Sequence, residues 1–415
     1  VAVDSVAALQ SLSERAFQRL GQLALVSDEP GILTREFFGP GMILATELVQ
    51  EWMRNAGLHV ERDGWGNLFG RTAPPTDSRP LLVLGSHLDT VRNAGKFDGS
   101  LGVLAALAAV ESLDSDARAR LPFVVEVSAF SDEEGVRFHT TYLGSRAAVG
   151  AIRDEDLQCC DRTGTRLADL IDPSCHHPVA RYRPGQLLGY LEAHIEQGPV
   201  LEQEGLPVGV VQGIAGQTRV AIGFTGMAAH AGTCPMGLRK DALAGAAELV
   251  LAVEKLARNT SGLVATVGCL EVPDAASNVV PGCAKLSLDL RHLEDSVRQR
   301  TLQELSQQAE HIAQERGLRL EWRLVQEAPS VPCDRSLQQI LSECVERNLG
   351  RAISLRGGAG HDAVAMAQVG PIGMLFVRCA GGVSHHPSES IDPADLSVAI
   401  QVLADAILAL GEKTS

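Results

Sequence analysis

The sequence has no excess of positive charge. Its 415 residues carry a formal net charge of −15. Nucleic-acid binding and a polybasic membrane contact both need a basic face, so neither partner is expected. The nine cysteines form no CxxC pair and no regular spacing. Cys159 and Cys160 are adjacent, an arrangement that rarely closes a strain-free bridge. Reduced thiols in a cytoplasmic protein are therefore the expectation. Residues 1–20 read as an amphipathic helix containing acids, without the basic and apolar regions of a signal peptide. No apolar run is read as reaching the roughly 18 residues of a membrane span. A G-x-S-x-G elbow is missing, and no cysteine stands in a nucleophile context, so a serine or cysteine hydrolase lacks its usual signature.

What is present is a hydrophobic fraction of 45% over a long chain. Single cores stop growing near roughly 250–300 residues, so two cores are expected. The stretches LLVLGSHLD (81–89), FVVEVSAFS (123–131) and PIGMLFVRC (371–379) read as strands buried on both faces. An apolar helix, 99–113, lies between the first two. This predicts an α/β fold with a mixed sheet and helices on both faces. From about residue 214 the texture becomes β-α-β-β-α-β, the ferredoxin-like pattern. The expected organisation is one α/β domain, 1–213 with 331–415, interrupted by a smaller α+β domain, 214–330.

Residue types that bind metals recur where strands should end. His87 and Asp89 stand at i, i+2 and share one side of an extended segment. Asp98 precedes the helix at 99–113. Asp132, Glu133 and Glu134 follow the second strand directly. His194 and Gln197 occur in LEAHIEQG, and His385 and His386 in SHHP. Each has an ordinary structural reading: Asp98 as a helix cap, His87 as a core histidine, Glu133–Glu134 as a solvated loop. Convergence favours chemistry, because ligands of open α/β sheets bind beyond the carboxyl ends of strands. Imidazoles with carboxylates suit zinc, manganese or cobalt, and the donor count exceeds that of one structural zinc. Two metals roughly 3.5–4 Å apart, bridged by a carboxylate, would use the donors. Asp89 would hold the His87 ring in its ligating tautomer. Of the adjacent glutamates, one could bind a metal and the other act as general base. GAGHDA (358–363) fits the dinucleotide pattern G-x-G-x-x-A, but Arg378 stands where a ribose-binding acid would follow.

The motifs GSHLDT, FDGSLG, FSDEEGVRF, LEAHIEQGPVLE, AHAGTCPMGLRKDA, SNVVPG, GAGHDA and SHHP occur in this order. In that order they resemble the metal-dependent hydantoinase/carbamoylase amidases, within the clan of dinuclear-zinc aminoacylases and carboxypeptidases. The resemblance runs from about residue 30 to 410. VVQGIAGQTR, DLRHL and MLFVRCAGGVSHHP are most similar to allantoate amidohydrolases, with N-carbamoyl-L-amino-acid hydrolases and ureidoglycolate amidohydrolases as siblings.

The resemblance implies two divalent metal ions, zinc or manganese, one on His87 and His194, the other on Glu134 and His385, with Asp98 between them. It implies Glu133 as general base and hydrolysis of the ureido C–N bond of a small ureide. The small domain would act as a lid and form a homodimer, with His230 reaching the partner subunit's site to stabilise the oxyanion. Asn278, Arg291 and Gln197 would hold the substrate; the Arg291 fork suits a carboxylate. His361 and Asp362 would support the site from outside the ligand set. A catalytically silent binding protein on the same fold is the alternative from another class. A spare carboxylate at Glu133 argues against it.

Overall fold

The computed structural model describes residues 6–414, so the first five residues of the expected N-terminal helix lie outside it. The chain divides into two compact units. One runs to Gln212 and resumes at Cys333; the other is Gly213–Pro332.

The first unit opens with the helix Val6–Leu23, which buries Ala16, Leu20 and Leu23. Strands β1 (His59–Arg62), β2 (Leu68–Arg71), β3 (Leu81–His87), β4 (Val124–Phe130), β5 (Leu187–Ile195) and β6 (Val208–Ile214) follow. The inserted unit contains β7 (Gly216–Thr225), β8 (Ala229–His230), β9 (Val264–Glu271), β10 (Val279–Val280), β11 (Cys283–His292), β12 (Arg319–Ala328) and β13 (Val331–Pro332). After it come β14 (Ser354–Gly357) and β15 (Ile372–Val377).

The expectation of a mixed sheet holds. Its order is β1-β2-β4-β3-β5-β15-β6-β13, with β14 beside β6. The centre, β4-β3-β5-β15, is parallel; β1, β2 and β6 pair antiparallel. Every residue of β3, β4 and β15 is buried, which is why these strands read as unbroken apolar runs. The helix Ser100–Glu111 is buried along Ser100–Val110 and packs on this sheet, so it shows no polar face. The parallel strands run the same way, so their carboxyl ends share one edge.

One expectation about apolar runs is corrected. The helix Pro393–Thr414 contains a segment, Pro393–Lys413, with a mean hydropathy of 1.7, enough by length and composition to cross a membrane. The scattered Asp395, Gln401 and Asp405 interrupt the eye more than they lower the average. Most of its apolar window is buried here: Leu396, Ile400, Leu403 and Ile407 pack in the main core beside Leu104 and Leu107. The nine cysteines are all free.

The inserted unit is a four-stranded antiparallel sheet, β12-β7-β11-β9, with helices Ala242–Asn259 and Asp295–Glu315 packed on it. This is the ferredoxin-like strand order. β7 and β11 alternate buried with more exposed positions, as a sheet covered on one face requires. A short ribbon of β8 and β10 was not visible as a sequence pattern.

Candidate metal centre

His87 is the last residue of β3, and His194 is the last but one of β5. The turn after β4 carries Asp132, Glu133 and Glu134. His385 follows β15, in a left-handed conformation (φ 57°). Three strand ends and one loop thus deliver donors to the same edge.

Asp98 lies among them, almost fully buried. Its Oδ1 is 3.0 Å from His194 Nε2 and 3.8 Å from His87 Nε2. Its Oδ2 is 3.1 Å from His385 Nε2, which in turn lies 3.3 Å from Glu134 Oε1. The two oxygens of one carboxylate therefore face two different donor groups. The helix cap is Gly99, without a side-chain bond, so Asp98 does not serve as one. Gly99 sits at φ +63°, and a Cβ there would lie 2.4 Å from the His87 ring. Only glycine lets the backbone turn this close to the imidazole. His386 bonds Ser388 at 2.7 Å instead, which leaves His385 as the histidine of this pair that meets Asp98 and Glu134.

Asp89 is buried behind the turn. Its Oδ1 and Oδ2 accept the N–H groups of Glu133 and Glu134 at 3.0 and 3.1 Å. Oδ1 also lies 3.3 Å from His87 Nδ1. The carboxylate thereby fixes two consecutive backbone amides, and the imidazole is held between it and the Asp89 backbone carbonyl, 3.1 Å from His87 Nδ1.

Electrostatics separates these groups. Burial raises the Glu133 carboxyl well above its ordinary value; His87 opposes this, and Glu134, Asp362 and Asp89 add to it. Burial works the same way on Asp98, but hydrogen bonds with His194 and His385 outweigh it and hold Asp98 well below the carboxylate range. Bonds to Asp98 and Glu134 push His385 up to about 10. Asp132 is buried and raised by burial, then by Asp89 and Glu134, and its Oδ2 has no hydrogen-bond partner among the described residues.

Gln197, at φ 57°, donates to Asp98 Oδ2 at 3.2 Å and to Ser384 Oγ at 3.0 Å. Ser384 Oγ also donates to Asp98 Oδ2, at 3.1 Å. His361 packs edge-on against His194, with ring centroids 4.4 Å apart. Asp362 precedes the short helix Ala363–Met366, whose Ala363 N–H is held by Glu192 Oε2 at 3.0 Å. Gly360 in the same loop approaches Tyr142 so closely that a Cβ would meet the phenol oxygen at 1.7 Å. Gly360 of GAGHDA thus serves a close contact within the chain.

Supporting residues were missed in the sequence. Arg35 is fully buried and donates to Leu88 O at 2.7 Å and to Ser100 Oγ at 2.9 Å, joining the loops after His87 and Asp98. Glu192 also accepts from Ser86 Oγ at 2.8 Å. Glu389 bonds the backbone beside Asp98. Their partners lie far away in sequence; for Arg35 and Glu192 the one available signal is a charged residue inside an apolar or Gly-rich stretch, and for Glu389 there is none.

The remaining predicted residues belong to the inserted unit. His230 pairs with Val279 in the short ribbon, and Asn278 O accepts the Ala231 N–H at 2.9 Å, so His230 and Asn278 are neighbours. Arg291 is on β11, where it grips Asp289 through two bonds of 2.8 and 3.0 Å.

The donors fit divalent cations. Three sets, His87–Asp98–His194, His87–Glu133–Glu134 and Asp98–Glu134–His385, each bring their ligand atoms within 4.8 Å of one another. The N/O composition suits zinc or manganese. The model of peptidase family M20/M25/M40 matches residues 83–409. The chain belongs to this family, in its hydantoinase/carbamoylase amidase branch.

Its similarity to allantoate deiminase of Arabidopsis thaliana is 39% identity, over 94% of this chain and 80% of that protein. The N-carbamoyl-L-amino acid amidohydrolase of Geobacillus stearothermophilus is 41% identical, over 96% of this chain and 99% of the relative. A crystal structure of a hydantoinase/carbamoylase amidase from Burkholderia multivorans matches with a TM-score of 0.89 and 32% identity. That match covers 96% of this chain and 98% of the other.

Proposed function

We propose that this amidase hydrolyses the ureido C–N bond of allantoate, giving ureidoglycine, ammonia and carbon dioxide. The observation that carries it is the Asp98 carboxylate facing two donor groups, with Glu133 beside them. His87 and His194 would hold one divalent ion, Glu134 and His385 the other, and Asp98 both. Zinc or manganese bound there would polarise the substrate carbonyl and lower the pKa of the attacking water. Glu133 takes the proton of that water and returns it to the leaving nitrogen. Asp89 keeps the His87 ring and the Glu133–Glu134 turn in place. His230 would reach the partner subunit's site to stabilise the oxyanion there, and Gln197, Asn278 and Arg291 would hold the ureide and its carboxylate. Gly213–Pro332 serves as lid and homodimer contact, and nine free cysteines suit a cytoplasmic setting.

The 41% identity to a carbamoyl-amino-acid hydrolase favours a second reading, in which the substrate is an N-carbamoyl-L-amino acid. An ammonia-release assay on zinc- or manganese-loaded protein, with allantoate, N-carbamoyl-L-amino acids and ureidoglycolate in parallel, tests both. Turnover of carbamoyl-amino acids with none of allantoate overturns the first reading.

A further inference from the structure

Glu389 stands four residues beyond His385 and is only 3% exposed. Its Oε1 accepts the backbone N–H of Phe97 at 2.7 Å and that of Asp98 at 3.1 Å. The partners are 292 and 291 residues apart in sequence, so this is no local cap. Bonds to two consecutive amides fix the peptide plane from which the Asp98 side chain departs. The other oxygen, Oε2, is buried and has no hydrogen-bond partner among the described residues. A buried carboxylate left half unsatisfied costs free energy, which ordinary packing would not repay.

Gly95 makes room for it. A Cβ at Gly95 would lie 2.3 Å from Glu389 Cβ and 2.5 Å from Oε1. The loop before Asp98 is therefore shaped around this carboxylate.

We propose that Glu389 is a positioning residue for the metal centre. It holds the Phe97–Asp98 peptide so that Asp98 Oδ1 meets His194 while Oδ2 meets His385. Because Glu389 and His385 share one short segment, the shared ligand and the second donor group are set together. The inference rests on the reading of Asp98 as a ligand common to two metal ions.

The test is a zinc titration of the full chain against a chromophoric chelator, with folding followed by circular dichroism. Wild type is compared with Glu389→Ala, Glu389→Gln, Gly95→Ala and Asp98→Asn. Loss of a residue that orients a ligand typically lowers metal affinity by roughly 10–100-fold, the drop expected for Glu389→Ala. Glu389→Gln keeps an acceptor oxygen for both amides and should recover most of the affinity. Gly95→Ala should reproduce the loss with the carboxylate chemically intact. Folded Glu389→Ala with wild-type zinc affinity, alongside an Asp98→Asn protein that has lost it, overturns the proposal alone. Wild-type binding by Asp98→Asn instead removes the shared-ligand reading itself. Should Glu389→Ala not fold, wild-type affinity in folded Gly95→Ala overturns the proposal.

Discussion

The carboxylate of Asp89 receives the backbone N–H of Glu133 at 3.0 Å, across 44 residues of sequence. The same carboxylate holds the Glu134 N–H and faces His87 Nδ1. The proposed base, one proposed ligand carboxylate and one proposed ligand imidazole are therefore aimed by a single residue, the imidazole also through the Asp89 backbone carbonyl at 3.1 Å. Asp89→Asn keeps one acceptor oxygen and replaces the other with a donor that opposes an N–H. Metal affinity and kcat should each fall by roughly 10–100-fold. Metal content after dialysis and steady-state kinetics check this; unchanged values for both would show that the turn is held without Asp89.

Glu133 and Glu134 should respond differently to the same substitution. Glu133→Gln removes the proton acceptor without touching the proposed ligands, so kcat should drop by about 10²–10⁴-fold at full metal content. Glu134→Gln weakens a ligand, so metal should be lost along with activity. Atomic absorption on both proteins separates the roles. Wild-type activity in metal-replete Glu133→Gln would assign the base elsewhere.

The strand ends were legible because buried parallel strands write themselves as apolar runs, and a histidine or acid at the end of such a run stands out. His87, His194 and the turn 132–134 were found that way. The groups that aim them were not, because nothing local marks their partners. Arg35 meets Leu88 and Ser100, and Glu389 meets Asp98, only after the chain folds. The ribbon bearing His230 and Asn278 was hidden for a different reason. Its strands, Ala229–His230 and Val279–Val280, are too short to show alternation.

Asp156 is buried and bonded by both Arg146 and Arg153, with Arg153 N and Nη2 at 2.9 Å. Burial alone would raise this carboxyl, but the bonds from Arg153 and Arg146 hold it well below the ordinary range. Its folded pKa lies below an unfolded value of roughly 3.9. The stabilisation is therefore present above that value and is lost as pH falls toward the folded one. Asp156→Asn should cost on the order of 1–3 kcal/mol at neutral pH. The gap to wild type should narrow below about pH 4. Urea unfolding at pH 7 and pH 3 measures it, and a gap that stays constant would exclude the charge pair as its source.

Proton competition should also shape metal loading. His385 is pushed up to about 10 by Asp98 and Glu134, so in the apoprotein it carries a proton at neutral pH. A ligating imidazole must give that proton up. Zinc binding should therefore release protons at pH 7, and apparent affinity should rise with pH. Calorimetric titrations in buffers of different ionisation enthalpy count the protons. His385→Ala should release fewer, and an equal count would mean that this histidine does not exchange its proton for the metal.

The apolar C-terminal helix offers a test of packing against membrane insertion. Leu403 is 1% exposed and lies in the main core, on a helix hydropathic enough to span a bilayer by composition. Leu403→Ala in a core helix leaves a cavity and should cost about 2–5 kcal/mol. A lipid-facing leucine would not carry that cost, because truncating it opens no internal void. Chemical denaturation followed by circular dichroism gives the number. A change below about 0.5 kcal/mol, the range of exposed sites, would place this face of the helix outside the core.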